Sequence, residues 1–131
     1  MWTRIIESKV LTMIKVKLTA KYKTKYPDIS FTTSDRTPTK PKFPNVYLMK
    51  LAGGQTGRTT ETGRVDAVVS EFQVEVYDNT SQGVAEEVAY SVAEVMVSMG
   101  YMIVNEPRAS NGDVYRNIAR YRRIIGEDDL F

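Results

Sequence analysis

The segment DVYRNIARYRRII, residues 113–125, sets four arginines among two tyrosines and three isoleucines. A guanidinium is a planar fork of donors that holds a carboxylate or a phosphate through two parallel hydrogen bonds. If the segment is a strand, Arg116, Arg120 and Arg122 share one side of it. Their chemistry is then capture of an anion on a partner, or pairing with acids on a neighbouring strand. Glu71 and Glu75 supply such acids, on one face of the strand candidate 65–77. As a catalytic pair these two carboxylates are badly placed. Four strand residues separate them by ~13 Å at a rise of about 3.3 Å per residue, whereas glycoside hydrolysis uses roughly 5–9.5 Å.

The chain has no histidine and no cysteine. Ser-His-Asp and Cys-His catalysis, His- or Cys-ligated zinc and disulfides are therefore excluded. No carboxylate pair, Ser-Lys dyad or oxygen-ligand set has a recognisable spacing either, so the sequence reads as a non-enzyme without cofactor or metal. The glycine-rich stretch GGQTGRTTETGR, residues 53–64, is not a phosphate loop. It lacks the Gly-Lys-Ser/Thr ending, and no helix pattern follows it. It reads instead as a flexible loop over about 52–64, with Gly53, Gly54, Arg58 and Arg64 as docking candidates.

Charge is unevenly spread. Residues 1–50 hold eleven Lys/Arg against three Asp/Glu, and residues 51–112 hold three against nine. Unlike faces attract, so the split favours association of copies or partners. It equally suits charges that solvate two sides of one domain. The overall net charge of +2 argues against free nucleic-acid binding as the main activity. The lysines of the first helix, Lys15, Lys17, Lys21, Lys23 and Lys25, read as snorkelling side chains around an apolar stripe. No apolar run approaches the ~20 residues of a membrane span, and the charges near Met1 leave no room for a signal-peptide apolar region.

The elements that must position these groups can be placed from periodicity. Trp2, Ile6, Val10, Ile14, Leu18 and Tyr22 form an i, i+4 ladder, which predicts a helix over 2–24 that stops before Pro27. Residues 29–33 and 45–51 are strand candidates, the second apolar on both faces and hence central. In 65–77, Phe72, Val74 and Val76 alternate with Glu71, Gln73 and Glu75, while Val65, Ala67 and Val69 sit on the opposite parity. That phase slip predicts a bulge or a change of neighbour. A second helix is expected from the turn at 78–81 to about Met99, with Val84, Val88, Val92, Val95, Met96 and Met99 on one side and Gly100 as its cap. A strand begins at Tyr101, residues 107–113 read as a turn, and the arginine segment is a final strand. The predicted class is α+β in a single domain: an antiparallel or mixed sheet of about four to five strands, with two main helices on one face.

Four stretches carry a family resemblance: KYPDISFTTS (25–34), FPNVYLMKL (43–51), VDAVVSEFQVEVYDNTSQGVAEEVAYSVAEVMVSMGY (65–101) and DVYRNIARYRRIIGEDD (113–129). Together they resemble the small tail-terminator or tail-completion proteins of long-tailed bacteriophages, over nearly the whole chain. The resemblance implies a structural virion protein of the tail or neck, assembled in the bacterial host cytoplasm. It would form a ring, typically six-fold, on the last ring of the tail tube protein, stop polymerisation and offer a surface to the head–tail connector protein. The arginine strand would then line a channel that DNA passes through, or serve the subunit contact. Another neck or connector protein, or a nucleic-acid-binding module, is the competing reading.

Overall fold

The computed structural model describes residues 2–33, 42–51, 55–56, 67–110, 112, 114–126 and 129. A short 3-10 turn, Trp2–Ile5, leads into helix α1, Ile6–Lys21. Strands β1 (Ser30–Thr33), β2 (Asn45–Lys50), β3 (Gln55–Thr56) and β4 (Ala67–Asp78) follow, then helix α2 (Gln82–Ser98) and strands β5 (Met102–Ser110) and β6 (Tyr115–Gly126). Five strands make a mixed sheet in the order β1-β2-β4-β6-β5, and the two-residue β3 lies beside β4. β1 runs parallel to β2, and the other pairings are antiparallel. The fold is α+β.

Strand periodicity divides the sheet into two chemical faces. Val46 and Leu48 of β2, Phe72, Val74 and Val76 of β4, and Ala119, Tyr121 and Ile125 of β6 are all buried in one core with the helices. α1 buries Ile6, Val10, Ile14 and Leu18, the predicted ladder, and Tyr22 continues it just past the helix end. α2 buries Ala85, Val88, Ala89, Val92, Val95 and Met96, and packs on β4, β6, β5 and α1.

Two local expectations needed correction, and a third had left two alternatives open. The helix over 2–24 is shorter: its first turn is 3-10, and it closes at Lys21 where the Tyr22 N–H bonds to the Leu18 carbonyl. The phase slip in β4 is the expected change of neighbour and not a bulge. β4 pairs with β6 without interruption from Ala67 to Asp78, and only its other neighbour changes, from β2 to β3. The pattern slips because a polar residue, Ser70, points into the core, where its hydroxyl hydrogen-bonds the Tyr101 hydroxyl at 2.8 Å. The turn predicted at 107–113 is instead strand as far as Ser110. Pro107 is tolerated there because β5 is an edge strand whose ladder is irregular between Asn105 and Arg108.

The ends of α2 are locally encoded. Ser81 caps its start by accepting the Val84 N–H at 3.2 Å. The buried Asp78 carboxylate accepts the N–H groups of Thr80 and Ser81, both at 2.9 Å. Gly100 ends the helix at φ +85°, in the left-handed region that side chains avoid. A Cβ there would also lie 3.2 Å from the Arg123 Nε atom.

The end of α1 is clamped onto α2. Lys25 Nζ and the Tyr26 hydroxyl each donate to the Glu87 carboxylate at 2.7 Å. The Tyr22 and Ser91 hydroxyls share a hydrogen bond, and Lys21 donates to Ser91 at 2.8 Å. The Lys25 and Tyr26 hydrogen bonds hold the Glu87 carboxyl below the usual carboxylate range.

Two measurements check this account. Gly100→Ala is expected to cost about 1–2 kcal/mol in a denaturant titration, the penalty of a left-handed non-glycine residue. Glu87 gives up its proton more readily in the native state than in the unfolded chain. Its contribution is therefore whole above the ordinary carboxylate pKa and is lost as pH falls through the native value. Stability measured across that acid window should fall more steeply for the wild type than for Glu87→Gln.

Candidate interaction surface

β4 and β6 determine where the predicted site residues lie. Their register sets Glu71 opposite Arg122, Gln73 opposite Arg120, Glu75 opposite Ile118 and Tyr77 opposite Arg116. All of these stand on the sheet face away from the helices, because their parity is opposite to that of Phe72, Val74 and Tyr121. The acidic and basic stripes are therefore neighbours, and the alternative in which they pair across the sheet describes much of this face.

The pairs differ in environment. Glu75 is only 7 % exposed. Its carboxylate lies 3.5 Å from Arg116 Nη1 and accepts the Tyr77 hydroxyl at 2.9 Å and the Gln73 amide at 3.5 Å. Arg116 is held on its other side by donating to Ser110 Oγ at 2.7 Å. Burial first, and then the hydrogen bond to Glu75, raises the Tyr77 phenol above its ordinary pKa. The Glu71–Arg122 pair is looser, at 3.7 Å, with both side chains substantially open to solvent. Coulomb attraction there is screened, and the pair stabilises little.

Arg120 has a different partner. Its Nε donates to Gln73 Oε1 at 3.0 Å, a neutral amide, and no carboxylate among the described residues pairs with its charge. Arg108 of β5 lines the same open cleft, with Asn105, Arg116 and Ile118. The irregularities of β5 account for this grouping. Asn105 falls opposite Arg120 and Arg108 opposite Ile118, so two residues three apart point to one face. Regular alternation would put them on opposite faces. Three guanidiniums thus meet one carboxylate, and the cleft carries excess positive charge.

Arg123, adjacent in sequence to Arg122, points the other way, as strand alternation requires. Its Nη1 donates to the Met99 carbonyl at 2.6 Å, at the end of α2. There a cation meets the free carbonyls and negative dipole end of the helix. It belongs to the fold rather than to the open face.

Sequence reasoning missed a second surface. Met102, Ile103 and Val104 of β5 are 68 %, 38 % and 50 % exposed, and Tyr90 and Val97 of α2 are also open. Tyr90, Ala93, Glu94, Val97 and Ile103 line a shallow groove between α2 and β5. The apolar run at 101–104 was legible as a strand, but its edge position was not. Gly53, Gly54, Arg58 and Arg64, the docking-loop candidates, lie outside the described residues. Of that loop, Gln55–Thr56 forms β3 against Val68 and Ala67.

Among the described residues no group of three acidic or other ligating side chains is placed to hold a metal ion. No helix among them is long and apolar enough to cross a membrane. No protein-family model matches the chain, and no curated protein matches it.

The two ion pairs give a direct test. Glu75→Ala strands the Arg116 guanidinium and the Tyr77 hydroxyl and is expected to cost about 1–3 kcal/mol. Glu71→Ala should cost no more than about 1 kcal/mol. Chemical denaturation of the two variants should give that order. Equal losses would mean that burial does not set the weight of Glu75.

Proposed function

We propose that this chain is a structural protein of a long-tailed phage virion, a tail terminator that caps the tail tube as an oligomeric ring. In that role it ends tube polymerisation and offers a surface to the head–tail connector. The observation that carries the reading is the pair of surfaces this small domain leaves unsatisfied: an aliphatic edge and groove at β5 and α2, and a charged open sheet face. Contiguous exposed apolar residues of this kind mark contact sites. The sequence resemblance to tail-terminator proteins supplies the partner classes, namely further copies of the chain, the tail tube and the connector. The chemistry is assembly, and the residues with work to do are those that meet a neighbour.

Arg108 and Arg120 favour one addition to this reading. Their charges lack carboxylate partners among the described residues, so they suit a transient contact with the phosphates of DNA moving through a ring. Binding of free nucleic acid as the main activity is the weaker reading, because Arg116 and Arg122 already face Glu75 and Glu71.

Size-exclusion chromatography with light scattering should give a ring-sized species, or monomers that assemble once tail tubes are added. Loss of the gene should give tails of uncontrolled length or heads and tails that do not join. Tails of normal length that still join heads would remove the proposal.

A further inference from the structure

Two exposed apolar patches of opposite charge lie on the helix layer of this domain. The first is the outer stripe of α1. Thr12, Val16 and Ala20 are each displaced by two residues from buried Ile14, Leu18 and Tyr22, which is more than half a helical turn, so they face away from the core. Val16 is 59 % exposed, and Ile5, at the start of the helix, is 46 % exposed. Exposed Lys15 and Lys17 flank Val16 on its two sides. The only acid in α1 is Glu7. The second patch is the groove between α2 and β5. Its apolar walls are Tyr90, Val97 and Ile103, and Glu86 and Glu94 stand exposed along the same helix. α2 contains no lysine or arginine.

We infer that neighbouring copies of this chain join by seating the lysine-flanked α1 stripe of one copy in the glutamate-lined α2–β5 groove of the next. This rests on the ring reading above and names the surfaces that close the ring. Apolar contact between Val16 and Ile5 on one side and Tyr90, Val97 and Ile103 on the other excludes water. Lys15 and Lys17 meet Glu86 and Glu94 at the rim, where charge sets register and partner choice.

Charge also selects the symmetry. A two-fold dimer made through either patch alone would set lysines against lysines or glutamates against glutamates, which is repulsive. A head-to-tail contact pairs unlike patches and leaves one of each free at every step, so it propagates until a ring closes. Within one chain, Glu94 already lies 3.8 Å from Lys21, but its side chain remains 78 % exposed and open to a second cation.

The test is a charge exchange between copies. One variant carries Lys15→Glu and Lys17→Glu, and the other carries Glu86→Lys and Glu94→Lys. Each variant alone has two like-charged patches, and its ring species should be lost in light scattering, both in solution and on added tail tubes. Mixed in equal amounts, the variants present opposite patches to one another, and an alternating ring should return. Recovery on mixing also proves that both variants fold. If each variant alone still forms the wild-type ring, or if the mixture stays unassembled while each variant keeps the wild-type circular dichroism spectrum, the pairing is wrong and the ring reading stands. A wild-type chain that remains monomeric in solution and on tail tubes overturns both.

Discussion

The structure depends on one ladder. β4 and β6 pair antiparallel along their full length, from Ala67 opposite Gly126 to Asp78 opposite Tyr115, with no register shift. Because side chains alternate, this single alignment sends Phe72, Val74, Val76, Ala119 and Tyr121 to one side and the Glu and Arg stripes to the other. A slip of one residue would turn one of the two strands over, burying either Glu71 and Glu75 or Arg120 and Arg122 under the helices. Burying unpaired charges is far more costly than any gain from a shifted register, so the register is strongly specified.

The helices complete the core on one face only. α2 covers β4, β6 and β5, and α1 leans on α2, fastened at its C-terminal end through Glu87 and Ser91. A two-layer domain of this kind must leave an open sheet face and a free sheet edge. The open face is tolerated in water because it is polar and charged, with Arg116 and Arg122 paired to Glu75 and Glu71. The β5 edge is blunted by Pro107 and by irregular pairing, both of which discourage indiscriminate strand addition. The apolar side chains beside that edge stay exposed, and it is there that a neighbour has surface to bury.

Much of this was legible in local pattern. The α1 ladder from Ile6 to Tyr22, a capping turn at 78–81 before α2, the glycine stop at Gly100 and the strand character of 115–126 follow from spacing and residue type alone. Where pattern misled, tertiary partners had overruled it. Ser70 interrupts the apolar alternation of β4 because Tyr101 is there to share a hydrogen bond. Pro107 reads as a turn residue, yet an edge strand needs no hydrogen from it on its open side. Arg108 drew no notice in the sequence, since its place beside Arg120 depends on the β5 irregularity.

The sequence by itself determined the absence of imidazole and thiol chemistry, the α+β class and the residues that alternate in β4 and β6. These are properties of composition and short-range periodicity, which a linear chain displays directly. Only the tertiary structure decided that Glu75 pairs with Arg116 while Arg120 is left to an amide, that Arg123 serves the end of α2, and that the aliphatic run after Tyr101 lies at an edge. Those outcomes rest on register and strand order, which bring together residues 24 to 47 positions apart. No local pattern contains that distance information.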